Sequence, residues 1–181
     1  NYFDATGGTG TPYFEYDYIT ADITLYVYAV NALCTDENSF TITITTPEIE
    51  VLGNNTPITD GDITPDIVDN TLFENTYIGS FTERTFTIEN NGNEDLILSG
   101  SPLISIIGST DFTITADPIS PVTSGGGTTT FTVRYTPSTA GTINNAILAI
   151  VNNTCEEIDY TFSIQGSSLA PILLSPTVYL Q

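Results

Sequence analysis

The chain has 181 residues, of which 22 are acidic and only two, Arg84 and Arg134, are basic, so its net charge is −20. It contains no His, Lys, Met or Trp, which excludes an imidazole base, a Schiff-base lysine, a P-loop lysine and a lysine isopeptide crosslink. The charge repels nucleic acid and anionic lipid, and no stretch is long and apolar enough to span a membrane. Apolar residues still make up 40% of the chain, which is enough for a folded core.

The first 46 residues contain two or three predicted strands. Side chains alternate from Ile23 to Val30, and a second alternating run covers Phe40 to Thr45. The Gly-rich stretch from Gly7 to Pro12 is interpreted as a turn, because no lysine and no helix pattern follow it. So few strands cannot close a sandwich. Residues 1–46 are therefore predicted to be the C-terminal part of a domain whose first strands lie upstream, in a mature product or fragment of a longer protein.

An aromatic cluster precedes the first long strand. It consists of Tyr13, Phe14, Tyr16 and Tyr18. Such rings can form a sugar-stacking platform or a contact between subunits, and they can equally form a domain core or a seam between domains. The sequence leaves both interpretations open.

A second domain is predicted from Pro47 to Gly166. It is expected to contain about eight short strands, with turn signals at regular spacing and no helical period, which fits an immunoglobulin-like sandwich. Gly53 to Pro57 is predicted to be a loop, and an acidic loop follows from Asp60 to Asn70. Further strands are predicted at Leu103–Ile107, Phe112–Thr115, Thr130–Thr136, Ala146–Val151 and Tyr160–Ile164.

The stretch from Phe81 to Gly100 contains two strand patterns separated by Asn90-Asn91-Gly92-Asn93, residues that tolerate positive φ. A two-residue turn at Asn91-Gly92 would place Glu89 opposite Glu94, and like charges facing each other are unfavourable. The sequence therefore predicts a longer loop or a crossing between sheets. Either arrangement lets one core include the side chains of Phe86, Ile88, Leu96 and Leu98.

The acidic loop is the best candidate metal site in the sequence. Ca²⁺ prefers oxygen ligands, and alternating oxygen-bearing residues on a loop can supply them. Pro65 replaces the glycine of an EF-hand loop and Thr71 stands at its twelfth position, so a solvated acidic loop is the alternative. No cofactor is required by either interpretation. The candidate ligands are Asp60, Asp62, Thr64, Asp66 and Asp69.

Three further features have modest interpretations. Glu156, Glu157 and Asp159 are predicted to form a charged turn. Arg84 and Arg134 are predicted on outward faces, where they relieve the acidic charge. Cys34 and Cys155 can be free thiols or a disulfide, because sequence cannot establish the geometry that a bond requires.

Residues 167–181 are predicted to be a linker and the first strand of a next repeat. The alternative is a donor strand that completes a neighbouring domain. The transitions near Pro47 and Pro171 look alike, each with a closing strand, a Pro-containing linker and an opening strand. This pattern predicts an all-β fold of tandem immunoglobulin-like β-sandwiches, a fragment of a longer repeat array that forms a fairly stiff rod.

Residues 47–166 resemble the choice-of-anchor D module, an immunoglobulin-like repeat of secreted bacterial surface proteins that is similar to ASH and major-sperm-protein-like sandwiches. The motifs that carry this resemblance are Thr85–Gly92, Phe112–Ile114, Thr130–Pro137 and Tyr160–Gly166. Residues 1–46 resemble repeats of gliding-motility and adhesin proteins of Bacteroidota, which use type IX secretion. The motifs there are Ala5–Pro12, Ile23–Ala29 and Cys34–Phe40.

These resemblances imply a structural or adhesive, non-catalytic segment of a long extracellular filament or adhesin at the cell surface. The expected partners are neighbouring repeats or subunits of the same filament, and surface glycans if the chain binds a ligand. The alternative function is a glycan- or polymer-binding module that uses the Tyr13–Tyr18 rings. No acidic pair stands in a context that indicates a glycosidase.

Overall fold

The computed structural model describes residues 1–170, which form thirteen strands and no helix, so the all-β prediction is confirmed for this part of the chain. Those residues accordingly contain no helix that could cross a membrane. The strands are β1 (Tyr2–Phe3), β2 (Pro12–Tyr13), β3 (Ile23–Val30), β4 (Thr35–Ile42), β5 (Ile49–Gly53), β6 (Thr56–Ile58), β7 (Leu72–Tyr77), β8 (Thr82–Asn90), β9 (Ser105–Gly108), β10 (Phe112–Ala116), β11 (Gly127–Tyr135), β12 (Ile143–Val151) and β13 (Asp159–Leu169).

The chain divides into two compact units, Asn1–Thr45 and Thr46–Gln181. The second unit does not close at Gly166 as a strand-and-linker pattern would suggest. Ser168 and Leu169 still pair with β7, so this part of the predicted linker belongs to β13. The predicted opening strand of a next repeat lies outside the described residues.

The first unit is one four-stranded sheet with the order β2-β1-β3-β4. The alternation predicted from Ile23 to Val30 forms β3, which pairs along its whole length with β4. That register makes β4 begin at Thr35 and end at Ile42, so the run predicted from Phe40 to Thr45 lies too late in the chain. Leu25 is the one buried apolar side chain among residues 1–45.

The second unit is a two-layer sandwich. One sheet has the order β10-β11-β8-β5-β6 and the other has the order β7-β13-β12-β9. Aromatic contacts join the layers, since the ring centroids of Phe86 and Phe162 are 5.6 Å apart and those of Phe73 and Phe112 are 5.4 Å apart. Inward side chains of both sheets thus form one continuous core, as in aligned sandwiches.

The stretch predicted as a loop from Gly53 to Pro57 is instead a tight hairpin between β5 and β6. Gly53 pairs with Thr56, and the two connecting residues, Asn54 and Asn55, have φ values of 50° and 58°. Both central φ values are positive in the turns that suit two-residue hairpins, and asparagine tolerates them. Pro57 fits because β6 is an edge strand.

Strand β7 has no counterpart among the predicted strands. Its alternation is interrupted at Asn75, which has a φ of 55°, and its pairing with β13 is irregular near the same point. Two consecutive exposed residues, Glu74 and Asn75, therefore break the period-2 pattern that identifies a strand.

The crossing predicted after β8 is confirmed. Beyond Asn93 the chain makes single bridges from Leu96 to Val122 and from Leu98 to Asn152, and it enters the other sheet at β9. Phe86, Ile88, Leu96 and Leu98 share the core as predicted. Gly92, however, does not have a positive φ. A glycine is needed at this position because a Cβ there would collide with the Thr46 carbonyl.

The first and last strands of the second unit carry the chain in at one end and out at the other. Thr46 and the Thr154–Glu157 turn that precedes β13 line the same small cavity. Leu169, the last residue of β13, lies roughly 33 Å from Asp159, the first residue of that strand, at about 3.3 Å per residue. Both β5 and β13 are interior strands, hydrogen-bonded to a neighbour on each side.

Candidate functional site

The aromatic cluster lies on a turn that exposes its rings. The Phe14 amide donates to Asp17 Oδ2 at 2.7 Å and the Asp17 amide donates to the Phe14 carbonyl at 3.2 Å. Tyr16 has a φ of 76°, in the left-handed region. The exposed fractions are 60% for Phe14, 88% for Tyr16 and 94% for Tyr18, whereas Tyr13 is half-buried in β2. These rings therefore do not form the core of the first unit, and their faces are open to a ligand or partner.

The first half of the acidic loop uses its carboxylates to hold the chain. Asp60 Oδ1 accepts from the Thr161 amide at 2.7 Å, which ties the loop to β13. Asp62 Oδ1 accepts from the amide of Thr64 at 2.8 Å and from its hydroxyl at 2.6 Å. The Asp62–Thr64 pair is a local side-chain turn of the kind that aspartate commonly forms.

The second half of the loop follows the same pattern. Asp66 Oδ1 accepts from the Val68 amide at 2.8 Å. Asp69 is buried, and its Oδ1 accepts from the amide and hydroxyl of Thr71 at 3.0 and 2.6 Å. Within residues 1–170 no three acidic or cysteine side chains converge as a metal-binding group. Calcium binding at Asp60, Asp62, Thr64, Asp66 and Asp69 stays a prediction.

The charged turn before β13 contains a carboxyl group with a perturbed pKa. Burial raises the pKa of Glu157, and the nearby carboxylates of Glu48, Asp60 and Glu156 raise it further. The turn itself is held by Asn152, whose amide donates to the Glu157 carbonyl at 2.7 Å. Repulsion among these carboxylates is thus a structural feature of this end of the sandwich.

Arg134 lies on the outward face, as predicted. Its Nη2 is 2.9 Å from Glu83 Oε1, and its guanidinium lies 4.2 Å from the centroid of the Phe81 ring. Both charged side chains are partly exposed, so the ion pair contributes little to stability.

Arg84 does not lie on an outward face, so that prediction was wrong. It shares the inward parity of Phe86 on β8 and stands opposite the buried Val133 of β11. Its Nε is buried and has no hydrogen-bond partner among the described residues. The signal was present in the sequence, because the period-2 alternation that places Phe86 inward also places Arg84 inward.

Cys34 and Cys155 are free thiols, and both are exposed. Of the two states that the sequence left open, the structure therefore has the unbonded one.

A groove that the sequence did not indicate lies on the outward face of the second sheet. We call it the isoleucine groove; its volume is about 470 Å³. Ile147 of β12 pairs with Ile107 of β9 on the floor of the groove. Ile63 and Pro65, which belong to the neighbouring loop, also line it. The nine lining residues are Ile63, Pro65, Ile107, Gly108, Asn145, Ala146, Ile147, Ser163 and Gln165. The sequence contains a signal that could have indicated this groove. Leu148 and the residues that alternate with it point into the core, so Ile147 of the same apolar strand must point outward.

The second unit is a two-sheet β-sandwich. Its first and last strands, β5 and β13, each lie between two other strands of the same sheet. Residues 69–157, which lie within the second unit, match the family model described as ASH: Abnormal spindle-like microcephaly-assoc'd, ASPM-SPD-2-Hydin. No curated protein matches the chain.

Two solved structures are similar to the chain at low identity. One is the ASH / PapD-like domain of human CEP192 (PapD-like domain 7), with 16% identity, a TM-score of 0.45, and coverage of 89% of this chain and 100% of that one. The other is a family 123 glycoside hydrolase from Clostridium perfringens, with 14% identity and a TM-score of 0.35. The match covers 70% of this chain and 28% of the hydrolase. Similarity at this level carries no argument about function.

Proposed function

We propose that the chain is a structural, non-catalytic segment of a long extracellular filament or adhesin. The observation that carries the proposal is the placement of β5 and β13 in the second unit. The chain enters by one strand and leaves by the other at the opposite end, and each of the two strands is hydrogen-bonded on both sides. This arrangement suits a domain that is joined end to end with others and transmits tension.

The physical reason is the direction of the load. Tension applied to Thr46 and Leu169 acts along β5 and β13, so the hydrogen bonds to both neighbours of each strand resist it together. Nine consecutive residue pairs join β13 to β12, from Ile143–Ser167 to Val151–Asp159. Unfolding under force is governed by the unfolding rate, and a strand that must slide past two neighbours raises that barrier.

The finer assignment follows from the resemblance in the sequence. We propose that residues 47–166 are a choice-of-anchor D type of repeat and that residues 1–46 end a gliding-motility or adhesin repeat of a Bacteroidota surface protein. The single exposed sheet of residues 1–45 supports this division, because a sheet with one buried apolar side chain is marginal alone.

The proposal is tested by stretching single molecules in two directions. In the first, the full chain is held by its two termini. In the second, a Cys34→Ser variant is held by its N-terminus and Cys155, which lies at the same end of the second unit as Thr46. We expect a clearly higher rupture force for the second unit in the first direction, because only that direction slides β13 along its neighbours. Equal forces in both directions would contradict a load-bearing role, and electron microscopy of the native source should show a fibre.

A second candidate function is a glycan- or polymer-binding module, favoured by the three open rings of Phe14, Tyr16 and Tyr18. Sugar faces stack on such rings. The test is a glycan array with the parent chain and a Tyr16→Ala, Tyr18→Ala variant, with Phe81→Ala as a control for an exposed ring outside the cluster. Binding that is lost only in the cluster variant would support this function, and an array without hits would exclude the glycans it carries.

Calcium at the acidic loop is a separate proposal. The ion would have to share oxygens that already accept hydrogen bonds from the loop and from β13, and it would stiffen that connection. The melting temperature of the full chain should rise with Ca²⁺ and fall with excess chelator. A melting temperature that is the same under both conditions would rule the site out.

A further inference from the structure

The two outward faces of the sandwich differ in charge. The first sheet carries four charged side chains of outward parity on β5, β8 and β11, which are Glu50, Glu83, Glu89 and Arg134. On the second sheet, the neighbouring strands β9, β12 and β13 contain one charged residue among them, Asp159, at the first position of β13. The outward face of an antiparallel sheet is polar where water covers it. In a chain with a net charge of −20, an uncharged and apolar outward face therefore indicates a contact surface.

A row of isoleucines crosses this face at the isoleucine groove. Ile107 pairs with Ile147, and Ile147 pairs with Ser163 of β13. The Ser163 amide donates to the Asp62 carbonyl at 2.7 Å, so Ile63 lies at the far end of the same row. Ile63 is 79% exposed, Ile107 61% and Ile147 42%. The small Ser163 lies between two isoleucines, and the depression it leaves can receive an isoleucine side chain from another surface.

The polar groups of this face can pair with copies of themselves. Asn145 and Gln165 lie opposite each other on β12 and β13, and Gln165 Nε2 donates to Asn145 Oδ1 at 2.8 Å. A primary amide both donates and accepts, whereas a carboxylate only accepts. The Asn145 nitrogen and the Gln165 oxygen can thus serve a second contact. Across a twofold axis, the Asn145 nitrogen of each copy can donate to Gln165 of the partner subunit.

The charge of the chain favours a second copy as the occupant of this face. A cationic partner is attracted to carboxylates, such as those of the first sheet and of the charged turn before β13, and not to an uncharged surface. Two copies of this chain repel each other, and the repulsion is smallest where the surfaces that meet carry no charge. A twofold contact uses the same patch on both copies, so no carboxylate opposes another at its centre.

The size of the face determines the strength of such a contact. The isoleucine row crosses four chain segments, or about 14 Å at about 4.8 Å between segments, and the nine residues of β12 extend over about 27 Å. Two patches of these dimensions bury on the order of 1,000 Å² in total, less than the roughly 1,200–2,000 Å² of stable complexes. The expected contact is therefore weak and reversible.

We infer that the outward face of the second sheet binds a second copy of this chain, forming a side-by-side dimer with its twofold axis near Asn145 and Ile147. The contact does not depend on the proposed function, which concerns tension along a single chain. Pairing of copies and resistance to force are measured separately, so either can fail while the other stands.

Sedimentation equilibrium of the full chain from about 10 µM to about 1 mM tests the dimer. A reducing agent prevents disulfide dimers through the exposed Cys34 and Cys155. The average mass should rise toward that of a dimer. Ile147→Asp should weaken association at least about tenfold, because it places carboxylates of two copies against each other. Thr130→Asp is the matched control, since it adds the same charge at an exposed position of β11 on the other outward face, and it should change association by less than about twofold.

The salt dependence identifies the kind of contact. Raising NaCl from about 0.05 M to about 0.5 M should tighten the dimer, because screening reduces the repulsion between two chains of charge −20 and leaves apolar contacts in place. Association that weakens with salt would instead indicate ion pairs between an arginine of one copy and the carboxylates of another, and it would overturn the inference.

Disulfide trapping locates the axis. In a Cys34→Ser, Cys155→Ser background, Asn145→Cys or Ile147→Cys should give a covalent dimer on mild oxidation, whereas Thr130→Cys should not. Unchanged hydrogen–deuterium exchange in β8 shows that each variant remains folded. Equal trapping at all three positions, or trapping at none, would overturn the inference. So would a parent chain that is monomeric at every concentration, which would leave the face to an uncharged partner of another kind.

Discussion

At the residue scale, Asn90 holds together the end of the sandwich where the chain enters. Its side chain is buried and uses its full hydrogen-bonding capacity. Nδ2 donates to the carbonyls of Glu94 and Val122 at 2.8 and 3.0 Å. Oδ1 accepts from the amides of Glu48 and Gly92, each at 3.1 Å. One side chain thus fixes the start of the first strand of the unit against the crossing loop.

Replacing Asn90 with Ala should lower the free energy of unfolding of the second unit by at least about 2 kcal/mol, because several buried polar groups lose their partners together. Asn91→Ala is the matched control. Asn91 is exposed and its side-chain Nδ2 donates to Glu50 Oε2 at 3.0 Å on the surface, so the loss should stay within about 0.5 kcal/mol. Urea denaturation of both variants measures the difference. Similar losses at the two positions would show that Asn90 is not a node of this fold.

Tyr160 is a second residue whose environment has a measurable consequence. It is buried, and its hydroxyl donates to the Ile58 carbonyl. Burial, the largest cause, raises its pKa from 10.0 to about 12, and the Glu157 and Asp60 carboxylates raise it as well. Since the pKa is higher in the folded state than in the unfolded state, the unfolded state loses its proton first as the pH rises.

The stability contributed by neutral Tyr160 should therefore be fully present below pH 10 and decline as the pH rises toward about 12. Denaturation curves at several pH values, with Tyr160→Phe for comparison, measure this. The parent chain should lose stability over that window more steeply than the variant, which has no proton to lose at this position. Parallel pH profiles for the two proteins would contradict the raised pKa.

At the element scale, the pairing of β5 with β8 places two carboxylates opposite each other. Glu50 faces Glu89 directly in the antiparallel register. A two-residue turn at Asn91-Gly92 would place Glu94 opposite Glu89, and the sheet instead places Glu50 in that position. Like charges directly opposite are destabilising, so the register is held by the buried neighbours of these residues, Val51 and Ile88.

Glu89→Lys should raise the stability of the second unit by about 0.2–1 kcal/mol, because it converts a repulsive cross-strand pair into an attractive one. Glu74→Lys changes the net charge by the same amount on exposed β7, which pairs only with β13 among the described strands. Thermal unfolding of both variants in low salt separates the local pair from the overall charge. A gain as large for Glu74→Lys would assign the effect to net charge alone.

At the scale of the whole molecule, a net charge of −20 with two cations is the dominant electrostatic feature. The carboxylates repel one another throughout the surface, and this repulsion opposes the compact state. Salt shortens the range of that repulsion, since the screening length is about 10 Å at 0.1 M and about 3 Å at 1 M.

We therefore expect the melting temperature to rise as NaCl increases from low concentration to about 0.5 M, because screening relieves self-repulsion more in the folded than in the expanded chain. An uncharged osmolyte at equal osmolality is the control for effects unrelated to charge. A melting temperature that falls with NaCl would mean that attractive pairs such as Arg134–Glu83 outweigh the repulsion.

Several features of the fold could be predicted because they depend on neighbours along the chain. The alternation in β3, β8 and β11 identifies strands with one buried face, and the parity around Asn91 excludes a tight turn. The exposure of Phe14, Tyr16 and Tyr18 could not be predicted, since the same ring cluster is compatible with a core or a surface until its covering layer is known.

The sequence by itself determined the all-β class, the strands with clear alternation, and the common core of Phe86, Ile88, Leu96 and Leu98, because side-chain parity is a local property of an extended backbone. Only the tertiary structure decided that Asn90 is buried as a hydrogen-bonding node, that the acidic side chains cap their own loop, and that Ile107 and Ile147 meet in an outward groove. These features depend on residues that are distant in sequence and become neighbours only when the sheets form.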